Sequence, residues 1–254
     1  MEDIHAIVIS LLTNFIWLPI GALLTLIGVW LSVRLPNRKL WQISNPSSLV
    51  VCAATSTSTN TGVYRRPATG IGQVRALAVA TRSLTQAYHR HLDIQNILLS
   101  VDPLHDRIEN DLLILGGPKN NQLAGRLLDL LVDEQPAMQT DSIIYWRVNR
   151  ANNQWVSQGA LEFEGKAVKR QVMTDYGLII RAQSPFTSRN RTVILFTGSH
   201  TYGTVAAAKF FVEDLHHSLR KLTRERRKNF VVLVSTHIVD GHPTKIRMER
   251  SYAW

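Results

Sequence analysis

The chain has one cysteine, Cys52, so it can form no disulfide within itself and its fold stands on burial and hydrogen bonding. A lone cysteine also suits a reducing compartment, and its place in the apolar run 49–54 reads as a buried small hydrophobe. Zinc-site spacing is missing, and the adjacent His216 and His217 would point different ways on a helix, so no metal site is expected. No repeat at a period of 20–50 residues is present, which excludes a solenoid, and there is no low-complexity tract. Acidic residues are scarce. Asp and Glu number 19 against 29 Lys and Arg, a net charge of +10 that favours polyanionic surroundings. With 45% hydrophobic and 19% charged residues, the 254-residue chain is no disordered polymer.

Its most conspicuous possession is an uncharged apolar stretch from Ala6 to Val33. A helix needs about 20 such residues to cross a bilayer core. Only Thr13 and Asn14 interrupt it strongly, and a bilayer helix tolerates Pro19. A cleaved signal peptide would begin with basic residues and be shorter, whereas this one begins with Glu2 and Asp3. Arg34, Arg38 and Lys39 follow the stretch, so the positive-inside rule puts the N-terminus outside and the remainder in the cytoplasm. The expected organisation is a signal-anchor helix in 1–36, a tether in 37–47 and a cytoplasmic domain in 48–254 of a single-pass cell-membrane protein. Trp17, Trp30 and Trp41 are candidate headgroup markers. Gly21 and Gly28 are too far apart for a GxxxG association motif.

Beyond the tether, continuous apolar runs alternate with amphipathic segments. Strands are expected at 48–55, 93–100 and 111–115, and helices at 70–90 and 120–131. The stripe expected to face the core of the first helix is Val74, Leu77, Ala78, Thr81, Leu84 and Ala87. Short strands at 143–148, 155–163 and 175–182, with a turn at Asn152-Asn153, read as an antiparallel insertion or extension. A strand at 191–197, a long helix from Thr204 to about Lys228, a strand at 230–235 and a pairing tail complete the pattern. The fold class expected is α/β, an N-terminal transmembrane helix followed by a mainly parallel, Rossmann-like sheet.

In such sheets ligands bind outside the carboxyl ends of the strands. Three loops fall there. The first, 55–66, offers Ser56, Thr57, Ser58 and Asn60 to phosphate or sugar oxygens, with Arg65 and Arg66 as an anion clamp. An ordinary solvated loop has the same composition. The second carries Gly116, Gly117, Lys119 and Asn120 before a helix, whose free N–H groups favour an anion. It is neither a Walker loop nor a GxGxxG fingerprint, and Asn120 is also a natural helix cap. The third holds Gly198, Ser199, His200, Tyr202, Gly203 and Thr204. Ser199 lacks the GxSxG elbow, and His200 is a candidate general base or ligand-orienting donor. Asp102, His105, Asp106 and Glu109 read as a solvated turn, Asp111 opens a strand, and the basic run 220–228 suits a helix end or anionic lipid.

The stretches 111–121 (DLLILGGPKNN) and 197–204 (TGSHTYGT) resemble those of bacterial membrane-anchored Rossmann-like proteins of no assigned activity. More distantly, the first is similar to the strand-plus-GGP element of nucleoside deoxyribosyltransferase-like, nucleotide-handling folds. That likeness brings no recognisable catalytic glutamate, so it carries over no catalytic residue. The expectation is a membrane-tethered domain binding a nucleotide-like or phosphorylated small molecule as a sensor, its other partners being the lipid bilayer and anionic headgroups. Nothing in the pattern supports nucleic acid. The rivals are a membrane-tethered enzyme cleaving a nucleotide's N-glycosidic or phosphate bond, and a non-catalytic scaffold.

Overall fold

A computed structural model describes residues 2–134, 146–149, 154–157, 166–168, 171–214 and 229–254. The turn expected at Asn152-Asn153, His216-His217 and the basic run 220–228 lie outside these described residues.

The apolar stretch forms helix α1 (Glu2–Val29), which passes through a π-helical turn (Trp30–Arg34) into α2 (Leu35–Trp41). Every residue from Trp17 to Val33 is exposed, including Leu18, Leu24, Leu26 and Leu31. A helix apolar on all sides has no face to turn toward a protein core. It is long and apolar enough to cross a membrane.

The tether expected in 37–47 is not a linker at its start. Pro36 follows the π-helical turn without breaking the helix, which continues as far as Trp41. Leu40 and Trp41 are buried, and the Trp41 ring lies edge-on to Phe211 and Phe196 at 4.9 and 6.4 Å. Its indole N–H donates to Ser83 Oγ at 2.9 Å. Trp41 is therefore a core residue and no headgroup marker. Trp17 and Trp30 remain exposed.

The sheet comprises β1 (Val50–Ala53), β4 (Ile97–Leu99), β5 (Leu112–Leu115), β9 (Gln171–Gln183), β10 (Thr192–Gly198), β11 (Phe230–Val239) and β12 (His242–Ala253), in the order β12-β11-β9-β10-β5-β1-β4. A further strand, β8 (Lys166–Val168), pairs with the start of β9, and β6 (Trp146–Asn149) and β7 (Gln154–Ser157) form a separate antiparallel pair. Strands β4, β1, β5 and β10 are mutually parallel, β9 is antiparallel to β10, and β11 is antiparallel to both β9 and β12. The sheet is thus mixed: five strands of this path share a direction, and the antiparallel part is built into the sheet as β9 and β12. The tail pairs as expected, through a turn in which Asp240 and Gly241 both have positive φ (50° and 71°), the geometry that matches strand twist. The expected strand at 93–100 shrinks to Ile97–Leu99 because Asp93 accepts the Gln95 N–H and caps a 3-10 turn.

Helices cover both faces. On one face α2, α3 (Ile71–Tyr88) and α5 (Thr201–Lys209) pack on Val51, Ala53, Leu113, Leu115, Ile194 and Phe196. On the other, α4 (Gln122–Glu134) sets Leu123, Leu127 and Leu131 against Val50, Cys52, Leu112, Ile114 and Leu195. Burial on both faces explains why these strands are continuous apolar runs. The buried face of α3 is Ala76, Ala80, Ser83, Leu84 and Ala87, while Val74 and Ala78 are exposed. The expected stripe was rotated because the small residues let α3 approach α5 and Trp41 closely.

Asp111 lies at the amino edge, away from the loops after the parallel strands. Fully buried, it accepts the Ser44 and Asn45 N–H groups through Oδ2 and the Thr192 N–H through Oδ1. That edge is also where the N-terminal helix joins. Trp41 meets Ser83, and Arg38 Nε donates to Ala87 O at 2.9 Å, so α2 runs antiparallel to α3 and leaves beside the C-terminal end of that helix.

Candidate ligand site at the carboxyl edge of the sheet

The parallel strands β1, β5 and β10 end together, so the three expected loops share one rim. The chain after β1 continues to α3 on one face, whereas the chain after β5 continues to α4 on the other. Adjacent strands whose connections diverge make the kind of crevice in which α/β sheets hold ligands.

The first loop is more ordered than its composition implied. It folds into a hairpin of β2 (Thr57–Asn60) and β3 (Arg65–Ala68), with Asn60 opposite Arg65 and Thr59 opposite Arg66. Asn60 Oδ1 accepts the N–H of Gly62, whose φ is +86°. Ser56, Thr57, Ser58, Asn60 and Arg66 are exposed.

The second loop is tied to the first. Thr55 N donates to Asn120 O at 3.0 Å, and Ser100 Oγ donates to the same oxygen at 2.8 Å. Gly116 has φ +96°, and a Cβ there would lie 2.5 Å from Ala54 Cβ, so only glycine fits. Gly117 is half-buried, and Lys119 and Asn120 are exposed. The cap of α4 is Asn121 rather than Asn120. Its Oδ1 accepts the Leu123 and Ala124 N–H groups at 3.1 and 3.3 Å, and its Nδ2 donates to Cys52 O at 3.0 Å. Burial pushes the neighbouring Cys52 thiol up to about 11, despite its contact with Asn121.

The third loop holds a residue that sequence reasoning missed. Asp175, fully buried near the start of β9, accepts the His200 N–H at 3.0 Å through Oδ1 and the Gly203 N–H through Oδ2. A resident carboxylate thus occupies the position at the α5 N-terminus that an anionic ligand would take. His200 Nδ1 lies 3.3 Å from Asp175 Oδ1, with the ring partly exposed. Gly198 and Gly203 serve close packing: a Cβ on Gly198 would meet Thr204 N at 2.5 Å, and one on Gly203 would strike Tyr176 O. Thr204 is buried, Tyr202 is half-buried beside Gly241, and Ser199 N donates to Tyr176 O.

The Leu123 and Ala124 N–H groups of α4 and the Gly203 N–H of α5 are therefore met by side chains of the protein itself. At α3 the arrangement differs. Its N-cap is Gly70, which supplies no side-chain acceptor. Beside it lies Gln73, only 8% exposed, whose Oε1 is buried with no hydrogen-bond partner among the described residues. A Cβ on Gly70 would lie 2.7 Å from that oxygen and 3.0 Å from Ser56 Oγ, and one on Gly116 would lie 3.0 Å from Gln73 Nε2. These contacts bring together Ser56, Gly70, Gln73 and Gly116. His200 and its loop sit next door, since Gly72 abuts the Thr201 carbonyl.

No protein-family model, curated protein or solved structure matches this chain. The functional reading rests on the geometry above.

Proposed function

We propose that the chain is a membrane-tethered, Rossmann-like sensor that binds a nucleotide-like or other phosphorylated small molecule in the crevice between the ends of β1 and β5. The observation that carries this reading is the buried, unpartnered Gln73 oxygen beside the uncapped start of α3. A buried amide oxygen without a partner costs about 1–3 kcal/mol, which a ligand donor recovers. The free N–H groups of the helix start favour an anion. A nucleotide offers both a donor-bearing base or sugar and a phosphate, and Arg66 on the overlying hairpin adds positive charge. In this reading α1 spans the bilayer with its N-terminus outside, because Arg34, Arg38 and Lys39 follow it.

The test is a thermal-shift screen of the full chain in detergent against nucleotides and sugar phosphates. A hit raises the midpoint in the wild type and loses its effect in Gln73→Leu and Ser56→Ala. A folded protein that responds to none of the panel rules this reading out. Retention of the chain in membranes through alkaline extraction tests the anchor separately.

One contact favours a second reading, an enzyme cleaving an N-glycosidic or phosphate bond of the same ligand. A partly exposed His200 oriented by the buried Asp175 carboxylate is how a general base is held. Turnover abolished in His200→Ala with binding retained would establish it.

A further inference from the structure

The other end of the sheet carries a feature that the carboxyl-edge site does not use. At the foot of the anchor helix two hollows adjoin, sharing Gln42 and Ser44 in their walls. The larger, about 430 Å³, is walled by Arg38, Tyr88 and Arg90. The smaller, about 250 Å³, is walled by Asn190, Arg191 and Thr192. No Asp or Glu lines either one among the described residues.

The nearest carboxylate, Asp111, is committed elsewhere. It already accepts three backbone N–H groups and reaches Arg191 only at 3.9 Å. Arg191 Nε is buried with no hydrogen-bond partner among the described residues. Arg90 is exposed and donates to the Ser47 hydroxyl at 2.9 Å, and Arg38 lies 5.4 Å over the Tyr88 ring. Two arginines thus line the larger hollow and a third lines the smaller one beside it, with N–H groups to spare. Planar guanidinium forks match phosphate oxygens.

Position selects the source of that phosphate. Exposed apolar side chains run down the helix to Val33, and Arg38 follows within about two turns, at roughly 1.5 Å per residue. The hollow therefore opens at headgroup depth if α1 spans a bilayer. We infer that the groove formed by Arg38, Arg90 and Arg191 at the foot of the anchor holds the phosphodiester headgroup of an anionic phospholipid. This rests on the membrane-tethered reading of α1 but not on the nucleotide site.

The experiment uses the full chain in nanodiscs of phosphatidylcholine alone or mixed with phosphatidylglycerol, with lipids retained on release counted by native mass spectrometry. The wild type retains phosphatidylglycerol over phosphatidylcholine, and Arg90→Gln combined with Arg191→Gln reduces that preference about tenfold. Arg191 touches Asp111, so Arg90→Gln alone, on an exposed side chain, provides a variant that keeps the fold. Equal retention of both lipids, or a preference untouched by either variant, overturns the site. Loss of the preference to competing inorganic phosphate shows a soluble-phosphate site and overturns the lipid source. A folded chain that fails to enter nanodiscs overturns the anchor and this inference together, leaving the carboxyl-edge crevice standing.

Discussion

Arg181 Nη1 donates to Leu40 O at 2.8 Å and to Lys39 O at 3.1 Å, so a fully buried guanidinium on β9 closes the last turn of α2. The same group stacks 4.4 Å over the Phe230 ring, and burial pushes its pKa down to about 10. A cation at a helix C-terminus satisfies carbonyls that the helix leaves open.

Replacing Arg181 by Met leaves those carbonyls without this donor and is expected to cost about 1–3 kcal/mol. Trp41→Ala removes an indole from an aromatic cluster and is expected to cost about 3–5 kcal/mol. Guanidinium unfolding of the full chain in detergent should rank wild type above Arg181→Met and Arg181→Met above Trp41→Ala. An unchanged midpoint in Trp41→Ala would show that α2 is not docked in solution.

Asp175 caps α5 from another strand. Asp175→Ala is expected to lose about 1–2 kcal/mol or more, as removed caps do, and Asp175→Asn less, because one acceptor survives. Hydrogen exchange should quicken at the His200 and Gly203 amides while that of β5 stays slow. Uniform quickening would mean global unfolding rather than a lost cap.

Two glycines should respond differently to the same change. A methyl on Gly203 would meet the Tyr176 carbonyl, whereas one on Gly21 meets nothing within 4 Å. Gly203→Ala is expected to destabilise by at least about 1–3 kcal/mol, and Gly21→Ala to leave the thermal midpoint unchanged. Equal midpoints would contradict the packing of α5 on β9.

Cys52 sets a pH window. Burial raises its thiol from 9.0 to about 11. Below pH 9 it is neutral in the folded and the unfolded chain alike, and its stabilising contribution is intact. Between 9 and 11 the unfolded thiol loses its proton while the folded one keeps it, so stability falls as pH rises, by roughly 2–3 kcal/mol across the window. Cys52→Ala should flatten that slope in denaturation measured from pH 8 to 11. An identical slope in both proteins would refute the assignment.

The parallel strands were legible because burial on two faces writes itself as an unbroken apolar run, as in Val50–Ala53 and Leu112–Leu115. The long N-terminal helix was legible from its uninterrupted apolar length. The fate of residues 35–41 was not. Pro36 and Asn37 read as breakers, while the burial of Trp41 depends on Ser83, Phe196 and Phe211, partners that no local pattern reveals.

At the candidate site, the shared rim followed from strand direction, but the chemistry of each loop did not. Asp175 left a trace: an acid at the head of the apolar run 175–182 needs partners if buried, and the loop at 198–203 supplies them. Gly70 and Gly72 around the start of α3 were a comparable sign. Their role is hard to read from sequence because the acceptor they leave room for, Gln73 Oε1, comes into place only when the chain folds.

The unbroken course from α1 through the π-helical turn into α2 makes the N-terminal helix a shaft keyed into the domain by Trp41. Each residue of helix turns its successor by about 100°. One residue added to the exposed stretch would swing the whole domain around the axis of α1 relative to the far end of that helix. Piston or twist at the outer end would reach the sheet without a slack joint to absorb it.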